Sequence, residues 1–194
     1  YICSRKLVVP VNKENVIKYG ILDKKYESQI PEYIVLTMSP KKDYISKPEL
    51  FMLDLLSNYQ WDRPIHLLNM GGDLNMGIKD YLEYDGFSYK FVPIRNRQRT
   101  SEVGFADPDK LYDMMTNVYK WDALSYPDYY ADNQHLYTFC GVLSQRALFV
   151  NVAKEMVKAG HPERAVEMLD KCQACVPEKN YPLDISYLGY SNEL

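Results

Sequence analysis

A glycine-rich segment between two predicted elements is the first place in this sequence where chemistry is expected. Residues 63–77, RPIHLLNMGGDLNMG, have the pattern of an apolar strand, a loop containing Gly71 and Gly72, and the start of a helix. Such a loop binds phosphate when its backbone N–H groups and the N-terminus of the next helix meet the anion. The spacing GGxxxxG, however, fits neither the dinucleotide-binding pattern nor a P-loop. The sequence therefore favours a turn at Gly71 and Gly72, with an anion or nucleotide crevice beside them as the alternative.

Three arginines in the segment RNRQR form a second candidate anion site. Arg95, Arg97 and Arg99 share one face if the segment is extended. Their guanidinium groups would then suit bidentate binding of phosphate or carboxylate. The alternative is a solvated loop whose charges pair with Glu102 and Asp107.

The segment WDALSYPDYYADN, residues 121–133, combines aromatic rings with carboxylates. Its candidate contact residues are Trp121, Tyr126, Tyr129 and Tyr130. Aromatic rings of this kind stack on sugars or anchor a partner chain, but packing inside the protein explains them equally well. Both interpretations stay open at this stage.

The remaining reactive side chains show no catalytic or metal-binding pattern. Cys172 and Cys175 have the spacing of a redox motif but fall near the end of a predicted helix, where packing of Cys172 in the core is favoured. The histidines His66, His135 and His161 are too scattered to predict a metal site. No nucleophile lies beside a base in a recognisable pattern. We therefore predict no catalytic residue, no metal and no cofactor.

Composition and charge restrict the class of partner. The chain has 194 residues, 46% of them hydrophobic, and a net charge of −3, which gives no basic field for nucleic acid or an anionic membrane. No apolar run approaches the roughly 18 residues of a membrane span. We expect a folded chain that binds no nucleic acid and does not itself insert into a membrane. Because it starts at Tyr1 and its end resembles an interrupted helix, we expect a fragment of a longer protein.

Strand and helix patterns alternate in the first part of the chain. Strands are predicted at 6–11, 32–38, 63–68 and 88–94, and helices at 13–20, 46–58 and 76–84. This order is typical of an α/β domain, with α+β as the alternative. We place that domain at residues 1–106, with a small mixed or parallel sheet of about four strands and flanking helices.

A helical region is predicted over residues 107–194. Asp107 and Pro108 have the pattern of an N-cap and first position of a helix. Further on, a hairpin at 134–177 is predicted, with a turn at Gly160. Its small and large residues follow the tetratricopeptide (TPR) pattern, and a following repeat is truncated at the C-terminus.

The order of these motifs resembles the soluble C-terminal region of large bacterial multi-span membrane proteins similar to protein O-mannosyltransferases. The resemblance spans nearly the whole chain and rests on KPELFMLDLLSNYQWDRPIHLL, YLEYDGFSYKFVPI, TSEVGFADPDKLYDMMTNVYKW and ERAVEMLDKCQACVP. The residues that fit the family pattern are Trp61, Arg63, Pro64, Ile65, Tyr81, Gly86, Tyr89, Val92 and Pro93. His66-Leu67 and GFSYKF depart from it.

The resemblance implies that the whole protein is a glycosyltransferase using a lipid-linked sugar, with its catalytic acids in a membrane part that is not in this sequence. This chain would then be a non-catalytic binding or interaction domain on the periplasmic side of the inner membrane. Its implied partners are its own N-terminal membrane part and an acceptor protein or glycan. The rival hypothesis is a stand-alone α/β enzyme or ligand-binding domain with an anion or nucleotide crevice near Gly71 and Gly72.

Overall fold

The structure, a computed structural model, describes residues 5–40, 43–68, 76–96, 105–129 and 141–181. The chain divides into two compact units, Tyr1–Phe105 and Ala106–Leu194. The first contains strands with flanking helices and the second a helical hairpin. The predicted fold class, α/β followed by a TPR-like α-hairpin, is confirmed.

The elements of the first unit are short. In chain order they are β1 (Lys6–Pro10), α1 (Lys13–Lys18), a 3-10 helix (Lys24–Gln29), β2 (Tyr33–Thr37), α2 (Lys47–Ser57), β3 (His66–Leu67), a second 3-10 helix (Ile78–Tyr81), β4 (Leu82–Tyr84), β5 (Tyr89–Phe91) and β6 (Phe105–Ala106). The two α-helices start where the sequence provides caps. Asn12 accepts the N–H of Asn15 at 3.1 Å, and Glu49 accepts the N–H of Ser46 at 2.8 Å as in a capping box.

Two sheets are formed, and each strand pair with a described register is antiparallel. β1 pairs with β2, and a four-stranded sheet has the order β3-β5-β4-β6. A sheet of four strands is present as predicted, but only two of the predicted strands, 63–68 and 88–94, belong to it as β3 and β5, while 6–11 and 32–38 form the separate pair β1–β2. The alternation of strands with helices predicts at least partly parallel pairing, which the described pairs do not show. Both β3 and β4 run antiparallel to β5. A turn at residues 85–88 joins β4 to β5 and is far too short for the crossover that parallel strands need.

The predicted helix over residues 76–84 is wrong. Gly77 has a φ of 78°, and only the single 3-10 helix follows it before the chain becomes extended in β4. Leu82 and Tyr84 lie opposite Phe91 and Tyr89 on β5. The segment therefore obeys the two-residue period of a strand, which is hard to recognise in a run of three residues.

The aromatic motif YQW, residues 59–61, organises the core of the first unit. Trp61 is fully buried, and its Nε1 donates a hydrogen bond to the Pro10 carbonyl at 2.7 Å. Its ring stacks on Phe91 at 5.4 Å between centroids and lies 4.6 Å from Tyr59. The Tyr59 hydroxyl donates to the Arg63 carbonyl at 2.5 Å. These contacts hold β1 and β5 against the segment that leads into β3.

The second unit is helical. Its described elements are α3 (Pro108–Asp113), a π-helical turn (Met114–Val118), a 3-10 helix (Asp122–Ser125), α4 (Val142–Lys158) and α5 (Pro162–Cys175). The predicted N-cap is confirmed, since Asp107 accepts the N–H of Lys110 at 3.3 Å. The start of the predicted helix at 134–160 lies partly outside the described residues, and α4 accounts for its remainder.

The hairpin of α4 and α5 turns at Gly160, which has a φ of 86°. Its buried residues include Phe149, Val152, Ala153, Met156, Ala165, Met168 and Cys172. These positions recur at three- and four-residue steps, so each helix buries one face. Among the described helices, none is both long enough and apolar enough to cross a bilayer.

Candidate functional site

The tyrosine-rich loop of the second unit separates into a buried and an exposed part. Trp121 is buried, its Nε1 donates to the Met115 carbonyl at 2.9 Å, and its ring lies 4.7 Å from Phe149. Trp121 is therefore a core residue. Tyr126 and Tyr129 are 60% and 40% exposed. Tyr130 lies outside the described residues.

The backbone that carries these two tyrosines is fixed by hydrogen bonds. Asn180 Nδ2 donates to the Tyr126 carbonyl at 2.9 Å, and the Tyr129 N–H donates to the same carbonyl at 3.0 Å. The buried Tyr181 donates from its hydroxyl to the Leu124 carbonyl at 3.0 Å. The exposed rings therefore project from a loop that is already ordered.

A buried arginine holds the segment that supports this loop. Arg146 on α4 donates through Nη2 to the carbonyls of Val176 and Tyr181, at 3.0 and 2.5 Å. A buried guanidinium needs such acceptors because it cannot lose its proton. Local sequence patterns do not identify Arg146, Asn180 or Tyr181 as supports of the loop, because Tyr181 follows Arg146 by 35 residues.

Of the three candidate arginines, the structure describes Arg95. Its Nη2 and Nε donate to one carboxylate oxygen, Oδ2 of Asp80, at 2.7 and 3.2 Å. The hydrogen bond to Asp80 raises the pKa of the Arg95 guanidinium. Arg97 and Arg99 lie outside the described residues. Arg95 thus has a carboxylate partner, although it is Asp80 and not the Glu102 or Asp107 that the sequence suggested.

The glycine-rich loop is described only at its end. Gly71 and Gly72 lie outside the described residues, so a turn or crevice there stays a prediction. At Gly77, a Cβ atom would lie 2.8 Å from the backbone nitrogen of Thr37. This glycine is required by its close approach to β2.

A cluster of chemically capable side chains that the sequence reasoning missed lies at one end of the four-stranded sheet. His66 Nδ1 is 2.7 Å from Ser88 Oγ and 3.2 Å from Asp85 Oδ2. Ser88 Oγ is 3.0 and 2.9 Å from the two Asp85 oxygens, and the Ser88 N–H donates to Asp85 Oδ1 at 2.8 Å. Asp85 and Ser88 are buried, whereas the His66 side chain is 40% exposed.

This arrangement is not a catalytic triad, although it contains the same three residue types. In a triad the imidazole lies between the hydroxyl and the carboxylate and uses both ring nitrogens. Here Ser88 and Asp85 both lie on the Nδ1 side of His66. A nucleophilic role for Ser88 is therefore not supported.

A buried ion pair continues the same row of side chains. Lys90 lies opposite His66 on β3 and opposite Glu83 on β4. Lys90 Nζ and Glu83 Oε2 are 2.9 Å apart, and both side chains are buried. Directly opposite residues in a sheet point to the same face, so His66, Lys90 and Glu83 form a polar row across three strands.

The two described cysteines are free thiols. Burial raises the pKa of Cys172 to about 11 and also raises that of Cys175. Both lie in the last turn of α5, where no helix N-terminus stabilises a thiolate. The prediction that Cys172 packs in the core is confirmed. Within the described ranges, no three His, Cys, Asp or Glu side chains are grouped as for a metal ion.

Comparison with known proteins gives a family for the first unit. A family model described as TMEM260-associated domain 2 matches residues 1–110, which include the Trp61 motif and the His66 cluster. No curated protein and no solved structure matches the chain. Because this match covers more than half of the 194 residues, the chain belongs to the TMEM260-associated domain 2 family.

Proposed function

We propose that this chain is the binding and interaction part of a membrane protein of the glycosyltransferase-like, protein O-mannosyltransferase-like type. In this proposal sugar transfer takes place in a separate N-terminal membrane part, and the chain lies on the periplasmic side of the inner membrane of a bacterium. Membership of the TMEM260-associated domain 2 family and the sequence resemblance support this assignment. The partners would be the membrane part itself and an acceptor protein or glycan.

The observation that carries the binding role is the exposed tyrosine pair, Tyr126 and Tyr129. Large aromatic rings contribute much contact area and lose little conformational entropy on binding. Their backbone is held by Asn180, so ordering the loop adds little to the cost of binding. Exposed carboxylates at Asp122 and Asp128 flank the rings and are acceptors for hydroxyl or amide groups.

The test is titration of the chain with a serine- and threonine-rich peptide, once unmodified and once carrying mannose, by isothermal calorimetry. We expect Tyr126→Ala and Tyr129→Ala each to weaken binding by about tenfold, which corresponds to about 1.4 kcal/mol. Tyr33→Ala is the matched control, because Tyr33 is 58% exposed but lies on β2 in the first unit. Equal affinity of the wild type and both loop variants would contradict the proposed contact.

The membrane assignment has its own test in the parent gene. We expect many spanning helices upstream of residue 1. An upstream region that encodes none of them would contradict the proposed architecture while leaving the tyrosine contact to be judged by calorimetry.

A further inference from the structure

The hydrogen-bond geometry around His66 fixes which ring nitrogen carries the proton. Ser88 Oγ lies within 3.0 Å of both Asp85 oxygens. A carboxylate only accepts, so the single hydroxyl proton of Ser88 must point at Asp85. Ser88 Oγ can then only accept from His66, and Nδ1 must be the protonated nitrogen. The neutral imidazole therefore has its lone pair on Nε2.

The second ring nitrogen is the available one. Within the described ranges, the contacts of His66 with Ser88 and Asp85 both go to Nδ1, and its side chain is 40% exposed. A histidine whose Nδ1–H is held by a carboxylate has a fixed tautomer and orientation, so its other nitrogen presents a lone pair in a fixed direction. The buried Asp85 also stabilises positive charge that develops on the ring, more strongly than an exposed carboxylate would.

We propose that His66 is an acyl-accepting nucleophile, with Asp85 as its positioning residue. In the proposed step Nε2 attacks the carbonyl carbon of an ester, an N–C bond forms, and the C–O bond to the leaving group breaks with its electron pair. Water then attacks the acyl carbon, the N–C bond breaks with its electron pair returning to Nε2, and the proton that the water loses neutralises the alkoxide leaving group. A carboxylic acid, an alcohol and the neutral ring result. Nδ1 keeps its proton throughout, and this N–H group donates hydrogen bonds to Ser88 Oγ and Asp85 Oδ2.

The charges of the neighbouring groups select the class of ester. Asp85 and Glu83 contribute two negative charges, and Lys90 contributes one positive charge. This balance opposes the approach of a phosphate ester or another anion. The site therefore suits an uncharged carboxylic ester. It lies in the first unit and is independent of the proposed tyrosine contact.

The experiment measures hydrolysis of p-nitrophenyl acetate by the full chain, together with mapping of acylation by diethyl pyrocarbonate. His161 is the matched control, because its side chain is also 40% exposed. Its carboxylate partner, Glu163, lies 3.4 Å from Nδ1 and is exposed, whereas Asp85 is buried. We expect His66→Gln to lower the rate by at least about tenfold and His161→Gln to leave it within about twofold. Diethyl pyrocarbonate should modify His66 faster than His161.

Two further variants separate the proposed nucleophile from a serine mechanism and from a structural role. Ser88→Ala should retain most of the rate, because Nδ1 stays 3.2 Å from Asp85 Oδ2. Asp85→Asn should lower kcat more than it changes KM, since its amide donates to Nδ1 and moves the ring proton to Nε2. Nitrogen NMR of the His66 ring reads this tautomer change directly in the folded protein.

Three results would overturn the proposal. These are an unchanged rate in His66→Gln, loss of the rate in Ser88→Ala, and an Nε2–H tautomer in the wild type. Each is measured on protein whose folding is checked by its melting curve, so a failure to fold is not mistaken for loss of the nucleophile.

Discussion

At the scale of single residues, the strongest sequence motif of this chain has a packing role. Within the described ranges, Trp61 is the one residue other than glycine whose backbone angle φ is positive, at 57°. The left-handed conformation costs about 1–2 kcal/mol for an L-residue, so surrounding contacts must stabilise it. The indole hydrogen bond to Pro10 and the stacking on Phe91 provide them. The motif that pointed to a family therefore identifies a scaffold and not a site.

Replacing Trp61 by Phe tests this role. The variant keeps an aromatic ring but leaves the Pro10 carbonyl without its donor. We expect the free energy of unfolding of the first unit to fall by about 2 kcal/mol, because the fully buried indole loses its hydrogen bond and the smaller ring leaves part of the indole volume unfilled. Urea unfolding followed by circular dichroism measures it, with Tyr33→Phe, at an exposed position, as a control that should stay within about 0.5 kcal/mol. A Trp61→Phe variant as stable as this control would show that the hydrogen bond is dispensable.

Cys172 makes the stability of the second unit depend on pH. Burial raises the pKa of its thiol from 9.0 to about 11, so the folded state disfavours the thiolate. The stabilisation is complete below about pH 9 and is lost as the pH rises to about 11, with a total of about 3 kcal/mol. Cys172→Ser lacks this titration, so its free energy of unfolding should fall less steeply between those two pH values.

The control for this effect is Cys175→Ser. Cys175 is only partly buried, and its thiol pKa is also raised by burial. We expect that variant to keep most of the pH dependence of the wild type. Parallel pH curves for the wild type and Cys172→Ser would rule out Cys172 as the titrating group.

At the scale of elements, a close approach of two backbones explains why residue 77 must be a glycine. Gly77 combines a φ of 78° with a position against Thr37 on β2. Any side chain there would meet backbone, which cannot move aside without disturbing the β1–β2 sheet. Gly77 thus lets the chain that leads into β4 pass directly against β2.

Alanine at this position should be far more costly than at a comparable glycine. Gly20 also has a positive φ, 63°, but nothing lies within 4 Å of its added Cβ. We expect Gly20→Ala to destabilise the first unit by about 1 kcal/mol, the cost of the backbone conformation alone. Gly77→Ala should cost at least about 2 kcal/mol more, because overpacking is added to that strain. Equal urea midpoints for the two variants would contradict the close approach to Thr37.

The α-helices that begin at capping residues and the strands β1, β2, β3 and β5 were predictable from local signals. The 3-10 helix and β4 after Gly77, and the pairing of the strands, were not. Asn12, Ser46 and Asp107 are N-cap residues, and a helix begins directly after each of them. The pairing of β3 with β5 depends on which distant segments meet, and β3 has only two residues. The same limit applies to the site, since the sequence shows His66 and Asp85 as isolated residues and only strand register brings them together. The local sequence pattern also did not predict that Tyr126 is exposed and Trp121 is buried.

At the scale of the whole molecule, the distribution of charge argues against the rival nucleotide-binding function. The net charge of the chain is −3. Arg95, the candidate anion ligand that the structure describes, donates to Asp80, and the polar row together with the neighbouring Asp85 contains two carboxylates for one ammonium. These carboxylates would repel an anion that approaches the end of β3, and they already pair with the nearby cations. The family match, residues 1–110, covers this region, whereas the exposed tyrosines lie beyond it.

Thermal-shift measurements with ATP and with sugar phosphates therefore should give no rise in melting temperature. A ligand present at 100 times its Kd stabilises the folded state by about 2.7 kcal/mol, which in a unit of about 100 residues is a shift on the order of 10 °C. Such a shift is easily measured, so its absence is informative. Asp80→Asn sharpens the comparison, because it releases Arg95 from its carboxylate and should still leave the melting temperature insensitive to these anions. A rise with either ligand that Arg95→Gln removes would instead establish an anion site, and the binding role proposed for the tyrosine loop would then have to be shared with it.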